Sequence, residues 1–301
     1  MDLAEEQLAR RAAMAWLKAR EDEGTFFSRE DRFVFQGQGI RLMNPQTGIW
    51  KPRGWNAALS ISTVFTSPTG RKPYADSEIS PDGLGRYKWR GDDPLHADNC
   101  ALRNAMELDL PLIWFLRFAP GRYTAVYPVF LLKEEPELQQ FVVAVDAIHQ
   151  LGSEDIKFPR DYVEIAYGIR ETKQRLHQAP FRARVLDAYR CKCAVCRFGH
   201  ASLLDAAHIV PDSEGGPASV TNGLSLCKMH HGAYDSKIIG ITPDLMVEVN
   251  HDVLHEIDGP MLQHGIQEFH RQRLMVIPTK RSQQPDPEAL QLRYNEFLAH
   301  A

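Results

Sequence analysis

Three runs between residues 193 and 235 decide the fold: Cys193-Ala-Val-Cys196, Asp205-Ala-Ala-His-Ile-Val-Pro211 and Val220-Thr-Asn-Gly-Leu-Ser-Leu-Cys-Lys-Met-His-His-Gly-Ala-Tyr-Asp235. The first run is a C-x2-C knuckle, and Cys227-Lys-Met-His230 repeats its spacing as C-x2-H. A turn of that length presents two ligands to one tetrahedral ion, so Cys193, Cys196, Cys227 and His230 are expected to hold a structural Zn²⁺. A lone C-x2-C would say little, because buried free cysteines are common; two knuckles in one short stretch say much more. Cys191 competes for the first knuckle, and His200 is a further nitrogen without a paired knuckle.

Between the knuckles, Leu203–Val210 reads as a strand ending at Pro211, followed by a loop over Asp212–Pro217. His208, near the end of that strand, would project toward the loop, where it suits a general base that takes a proton from water. Alone, it would read more simply as a satisfied core histidine. Asn222, His231 and Asp235 following in order weigh against that. Asn222 can accept and donate, and so can pin the loop. His231 and Asp235 are four residues apart on an expected helix and share one face. There an imidazole and a carboxylate can bind a divalent ion, Mg²⁺ or Mn²⁺, next to a phosphate.

This order of residues resembles the HNH nucleases of the ββα-metal fold, over about Phe181–Val249. The resemblance implies a strand–loop–strand–helix body that hydrolyses phosphodiesters. It makes His208 the base, Asn222 the loop-fixing residue, and His231 and Asp235 the helix positions that hold the catalytic ion. One departure stands out. Many such nucleases place a carboxylate or histidine ligand immediately before the base, and here that residue is Ala207. Asp205 is the nearest acid, and a regular strand would turn it away from His208.

Upstream lies Tyr87-Lys-Trp-Arg-Gly-Asp-Asp-Pro-Leu-His-Ala-Asp-Asn99, followed by Pro111-Leu-Ile-Trp-Phe115 and Ala119-Pro-Gly-Arg-Tyr-Thr-Ala-Val-Tyr-Pro-Val129. These segments, within about residues 30–146, resemble the SRA-like domains joined to HNH nucleases in some bacterial restriction enzymes. That resemblance implies a PUA-like β-barrel that binds double-stranded DNA with a modified cytosine, such as 5-methylcytosine, flipped into a pocket. Such a pocket needs aromatic faces and a polar group to read the base edge. Tyr74, Asp76, Tyr87, Trp89, Asp92 and Asp93 supply those types, and Arg86, Lys88 and Arg90 could meet phosphate. A half-buried edge strand accounts for the same alternation over 86–90.

The remaining sequence organises around these two regions. Residues 2–20 predict an amphipathic helix burying Ala4, Leu8, Ala12, Ala15 and Trp16. Asp98 is expected to cap a short helix that buries Leu102, Ala105 and Met106. Leu112–Phe118 and Tyr123–Leu132 predict a hairpin about Ala119-Pro120-Gly121-Arg122, with Phe141–Val145 as a third strand. Their near-continuous apolar character places them centrally, with Trp114 and Tyr127 in the core. Pro180 is expected to open a helix burying Phe181, Val185, Leu186 and Tyr189. A strand over Leu245–Val249, a helix over Met261–Arg273 and a last helix from Asp286-Pro287 complete the reading. The fold class is α+β, divided as residues 1–146, a linker over 147–178, a nuclease domain over 179–250 and an extension over 251–301.

Composition bounds the rest. With 301 residues, 44% hydrophobic and 25% charged, the chain reads as soluble, globular and two-domain. No apolar run reaches the length of a membrane span, and the acidic start does not read as a secretory signal. Three of the five cysteines fall within Cys191–Cys196 and another lies just before a histidine, which points to metal in a reducing compartment, the cytoplasm, rather than to disulfides. A net charge of −4 makes no electrostatic case for nucleic acid, so local groups must carry it. Arg182, Arg184, Arg190, Lys192 and Arg197 are candidates, equally readable as a solvated face. The expected function is cleavage of DNA bearing modified cytosine, with a homodimer as one route to cutting both strands. Two other readings compete: a nuclease gated by a small nucleotide signal, and a zinc-stabilised DNA-binding protein without activity.

Overall fold

The computed structural model describes residues 1–63, 84–145 and 178–300. Tyr74 and Asp76 lie outside the described residues, as does all of the expected linker except Gln178. The chain divides into two compact units, Met1–Arg20 with Thr25–Pro180, and Glu21–Gly24 with Phe181–Ala301. No helix among the described residues is long and apolar enough to cross a membrane.

The first unit is built on strands β3 (Ile49–Trp50), β4 (Ser60–Ser62), β5 (Gly85–Lys88), β6 (Leu112–Ala119), β7 (Arg122–Glu135) and β8 (Gln140–Val145). They form one sheet in the order β3-β4-β6-β7-β8-β5, curled into a half-barrel. The pairing is antiparallel except between β4 and β6. Strands β6 and β7 are central because both their faces are apolar. Leu112, Trp114 and Leu116 point into one core with helix α2 (Ala97–Glu107), while Ile113 and Phe115 point into another with helix α1 (Leu3–Asp22). Burying a side chain such as Ile113 or Phe115 contributes roughly 1.5–3 kcal/mol. The hairpin turns at Pro120-Gly121, where Gly121 adopts φ 70° without the penalty a Cβ would bring. A separate hairpin pairs β1 (Arg32–Phe35) with β2 (Gln38–Arg41).

Two expectations for this unit need correction. Helix α1 buries Ala9, Ala13 and Leu17 together with Glu6 and Arg10, while Leu8 is exposed. The buried stripe is therefore rotated by one residue, because it contains an ion pair that an apolar count passes over. Arg10 Nη2 lies 2.6 Å from Glu6 Oε1, with both side chains fully buried. Most of the remaining groups find partners, although Arg10 Nε is buried without one. Arg10 donates to Pro111 O at 2.8 Å and sits over the Trp55 ring, and Glu6 accepts from Asn56 N at 2.7 Å. Removing one member of such a buried pair typically costs about 3–5 kcal/mol. Helix α2 is capped by His96, whose Nδ1 accepts from Asp98 N at 3.1 Å; Asp98 instead pairs with Arg90 at 2.5 Å.

Helix α3 is described over 178–188, most of it in the second unit, so Pro180 sits inside it and is not its first residue. Phe181, Val185, Leu186 and Tyr189 are buried as expected. Strands β9 (Leu204–His208) and β10 (Gly223–Cys227) pair antiparallel, and helix α4 (Lys228–Asp235) follows directly. Strands β11 (Ile239–Ile241) and β12 (Val247–Val249) form a second small sheet. Short helices α5 (His251–Leu254) and α6 (Pro260–Gly265) come next. The expected helix to Arg273 stops at Gly265, because a 3-10 turn over Gln267–Phe269 breaks it. Helix α7 (Pro287–Leu298) is capped by Asp286, whose side chain accepts from Glu288 N.

Candidate active site and metal centre

Strand β9 and helix α4 carry most of the site, and β10 sets their spacing. His208 ends β9 opposite Gly223 on β10. Its ring stacks on Phe181 of α3, with centroids 4.0 Å apart and planes 16° apart. Gly223 permits this arrangement. A Cβ there would lie 2.4 Å from Val185 Cγ2 and 3.0 Å from Phe181 Cζ, pushing α3 off the histidine. Burial lowers the pKa of His208; Asp212 raises it and His231 lowers it further, and the net shift is downward. His208 is therefore neutral near pH 7, the state a base requires.

Asn222 is buried and closes the loop after His208 with its whole amide. Oδ1 accepts from Val210 N at 2.9 Å, while Nδ2 donates to Val210 O at 2.9 Å and to Pro217 O at 3.0 Å. Its backbone carbonyl also accepts from Ile209 N at 3.0 Å. Gly216 belongs to the same closure, since a Cβ there would sit 1.9 Å from Val210 O.

His231 stands between two carboxylates. Nδ1 lies 3.1 Å from Asp205 Oδ2, and Nε2 lies 3.3 Å from Asp235 Oδ2. Asp205 also accepts from Lys228 Nζ at 2.7 Å. Burial raises the Asp205 pKa, but hydrogen bonds from Lys228 and His231 outweigh it and hold the carboxyl below its usual value. A carboxylate on Nδ1 favours the tautomer with its proton there, leaving the Nε2 lone pair toward Asp235. Cis ligands on an octahedral ion with bonds of about 2.0–2.1 Å lie about 3 Å apart, so His231 and Asp235 fit a divalent cation. Asp205, the nearest acid in the sequence to His208, meets the helix and not the base. It does face away from His208, but toward the helix histidine, a contact that no local spacing encodes. Ala207 is fully buried opposite Leu224 and supplies no ligand. Asp205→Asn is expected to lower cleavage by about 10–100-fold through loss of His231 orientation, with zinc content unchanged. Full activity of that variant in a plasmid assay would remove Asp205 from the site.

The two knuckles converge. Cys193, Cys196, Cys227 and His230 bring their ligand atoms within 4.8 Å of one another, and no other group of three or more such residues does so among the described residues. Cys193 Sγ is 3.7 Å and Cys227 Sγ 3.1 Å from His230 Nδ1, and Cys196 Sγ is 4.0 Å from Cys227 Sγ. A tetrahedron with Zn–S of about 2.3 Å has edges near 3.8 Å, so this donor set fits Zn²⁺. Hydrogen bonds from Cys193 and Cys227 push the Cys196 thiol far up, whereas hydrogen bonds from Cys193 and Cys196 pull Cys227 far down. Crowded sulfurs must share protons or take a cation in their place. The knuckle is tied to β10 through Ala194 N to Ser225 O at 2.7 Å. His230 Nε2 lies 2.9 Å from Gly265 O, which fixes its ring with Nδ1 inward. Cys191 and His200 stand outside this set.

Residues 193–242 match the family model described as HNH endonuclease. The second unit thus carries an HNH endonuclease domain. No curated protein matches the chain. Similar solved structures include a modification-dependent TagI restriction endonuclease, 16% identical, covering 84% of this chain and 86% of that one, with a TM-score of 0.31. A type IV phosphorothioation-dependent restriction endonuclease, ScoMcrA, is 13% identical over 76% of this chain and 51% of its own, with a TM-score of 0.25. Likenesses this slight decide neither fold nor substrate.

In the first unit, Tyr87 and Trp89 are buried and line a pocket of about 260 Å³ with Gln46, Gly48, Ser62 and Lys88. Tyr87 donates to Ser62 O at 3.2 Å and meets Trp114 edge-on. Gly48 keeps the pocket open beside it, because a Cβ there would lie 2.3 Å from the Tyr87 hydroxyl. Trp89 Nε1 is buried without a hydrogen-bond partner. Asp92 and Asp93 are exposed on the following turn. The neighbouring cations are engaged: Arg86 with Glu135 at 3.3 Å, Lys88 with Leu138 O at 2.8 Å and Arg90 with Asp98. Arg182 and Arg184 of α3 likewise donate to backbone carbonyls, of Leu204 and Ala218.

Proposed function

We propose that the chain is a DNA endonuclease directed by base modification. Its first unit, an SRA-like domain of the PUA class, would take a modified cytosine, 5-methylcytosine in the simplest case, out of the duplex. Its HNH unit would then hydrolyse nearby phosphodiesters. The observation that carries the hydrolytic reading is the pairing of a stacked, neutral His208 with His231 and Asp235 beside it on α4. Support for the reader is the pocket of about 260 Å³ at Tyr87 and Trp89, smaller than the roughly 300–1,000 Å³ of drug-sized sites and suited to a single ring. Tyr74, Asp76 and Asp92 belong to the same proposed reader.

In this mechanism His208 draws a proton from water as the oxygen attacks phosphorus. Phe181 holds the imidazole plane, and Asn222 holds the loop that follows it. His231 Nε2 and the Asp235 carboxylate would grip Mg²⁺ or Mn²⁺, which when bound stabilises charge on the phosphate and leaving oxygen. Zn²⁺ on the two knuckles has a separate, structural task. A homodimer would bring two such sites to the two strands.

Matched plasmids carrying cytosine, 5-methylcytosine or 5-hydroxymethylcytosine test the proposal with Mn²⁺ present. A modified plasmid should be cut at enzyme concentrations that leave the unmodified one supercoiled. Equal cutting of all three would sink the modification reading while leaving the nuclease. No cutting by wild type under any of these conditions would count against both.

A further inference from the structure

The candidate catalytic carboxylate is connected to a helix far along the chain. Asp235 is the last residue of α4, and its side chain is 58% exposed. A carboxylate in that place is poorly held by its own helix, whose C-terminal end carries partial negative charge. Its second oxygen, Oδ1, lies 3.6 Å from Arg293 Nη2 of helix α7. Arg293 is itself fixed on two sides. It pairs with Glu296 at 2.7 Å, which also takes Lys237 at 2.6 Å, and its guanidinium lies 5.2 Å above the Tyr234 ring. Only 11% of its side chain is exposed. The contacts run without a break from Lys228 through Asp205, His231, Asp235, Arg293 and Glu296 to Lys237.

We infer that Arg293 is a positioning residue for the catalytic cation: it holds Oδ1 of Asp235 so that Oδ2 stays turned toward His231 Nε2. The inference rests on the reading of His231 and Asp235 as the ligand pair. It gives the C-terminal helix a part in the active site. A guanidinium near a cation site has two opposing effects. It repels the ion, and it fixes the rotamer of the ligand. Glu296, shared with Lys237, offsets part of the charge at 2.7 Å, and the inference is that the orienting effect outweighs the rest. Partners of metal ligands typically contribute 10–100-fold to affinity.

Direct Mn²⁺ titration of the full chain by electron paramagnetic resonance tests this, using Arg293→Met, Arg293→Lys and Asp235→Asn. The Met variant keeps an unbranched apolar stem and removes the guanidinium that meets Asp235 and Tyr234. Its dissociation constant for Mn²⁺ should rise about 10–100-fold, with zinc content and unfolding temperature near wild type. A merely structural residue would move the unfolding temperature and leave the Mn²⁺ affinity of the folded protein alone. Unchanged or tighter Mn²⁺ binding by Arg293→Met would overturn the inference. Should that variant fail to fold, Arg293→Lys decides: weakened binding supports the role, and wild-type binding overturns it. Asp235→Asn separates the two layers. Wild-type affinity there would remove the ligand pair and this inference together, whereas weakened binding there with normal binding in the Arg293 variants would remove the inference alone.

Discussion

Replacing His208 with alanine is expected to slow DNA cleavage by about 10²–10⁴-fold, the usual contribution of a positioned general base. Zinc content and thermal unfolding should stay close to wild type, because the ring is only half-buried and lies at a strand end. The pH profile carries the same assignment. As the proposed base, His208 would act only when neutral, and its net pKa shift is downward from 6.5, led by burial. Activity should therefore rise with pH through a midpoint below 6.5 and then level off. Asp212 raises that pKa, so Asp212→Asn should move the midpoint lower still. A profile that rises only above neutrality would point to another base. So would a His208→Ala variant that cuts at the wild-type rate.

What could be read from sequence follows the range of the interactions involved. The zinc set was legible because C-x2-C and C-x2-H each specify a single turn, and a turn is local. His208, Asn222, His231 and Asp235 were legible as an ordered series on a strand, a loop and a helix. Asp205 stood out only as the nearest acid, without its contact to His231, and Arg293 did not stand out at all. Each meets the site through an approach of separate elements, β9 to α4 and α7 to α4, that no spacing records. In the first unit, the central strands β6 and β7 announced themselves by continuous apolar runs. The buried face of α1 was misjudged because Glu6 and Arg10 look like a solvated pair. Their i, i+4 spacing was the available signal, but it fits an exposed pair as well as a buried one. The pocket at Tyr87 and Trp89 has a similar ambiguity. Strand β5 lies at the edge of the described sheet and alternates as an edge strand should. Its apolar side both packs the core and lines the pocket, so the two readings of residues 86–90 describe the same atoms.

Removing the zinc should have the largest effect on the fold. Cys193→Ser or Cys227→Ser is expected to lose about one equivalent of zinc and unfold the second unit, while the first keeps its structure. Structural zinc sites in small domains contribute an apparent ~10–16 kcal/mol near neutral pH, as much as the ~5–15 kcal/mol that holds an ordinary domain together. The position of the site explains why little would survive. Cys227 is the N-cap of α4, and His230 lies one turn inside it. Cys193 and Cys196 sit on the turn fastened to β10 through Ala194. An ion held there would join the turn, the strand and the helix that carries His231 and Asp235, so cleavage should vanish with the metal. The first unit has its own two cores on either side of its sheet and no part in the ligand set. Metal analysis with circular dichroism should accordingly give partial, not complete, loss of structure, and chelation should reproduce it. Cys191→Ser is the matched control, because Cys191 stands outside the converging set. If Cys193→Ser kept its zinc and Cys191→Ser lost it, the first knuckle would have to be redrawn two residues earlier.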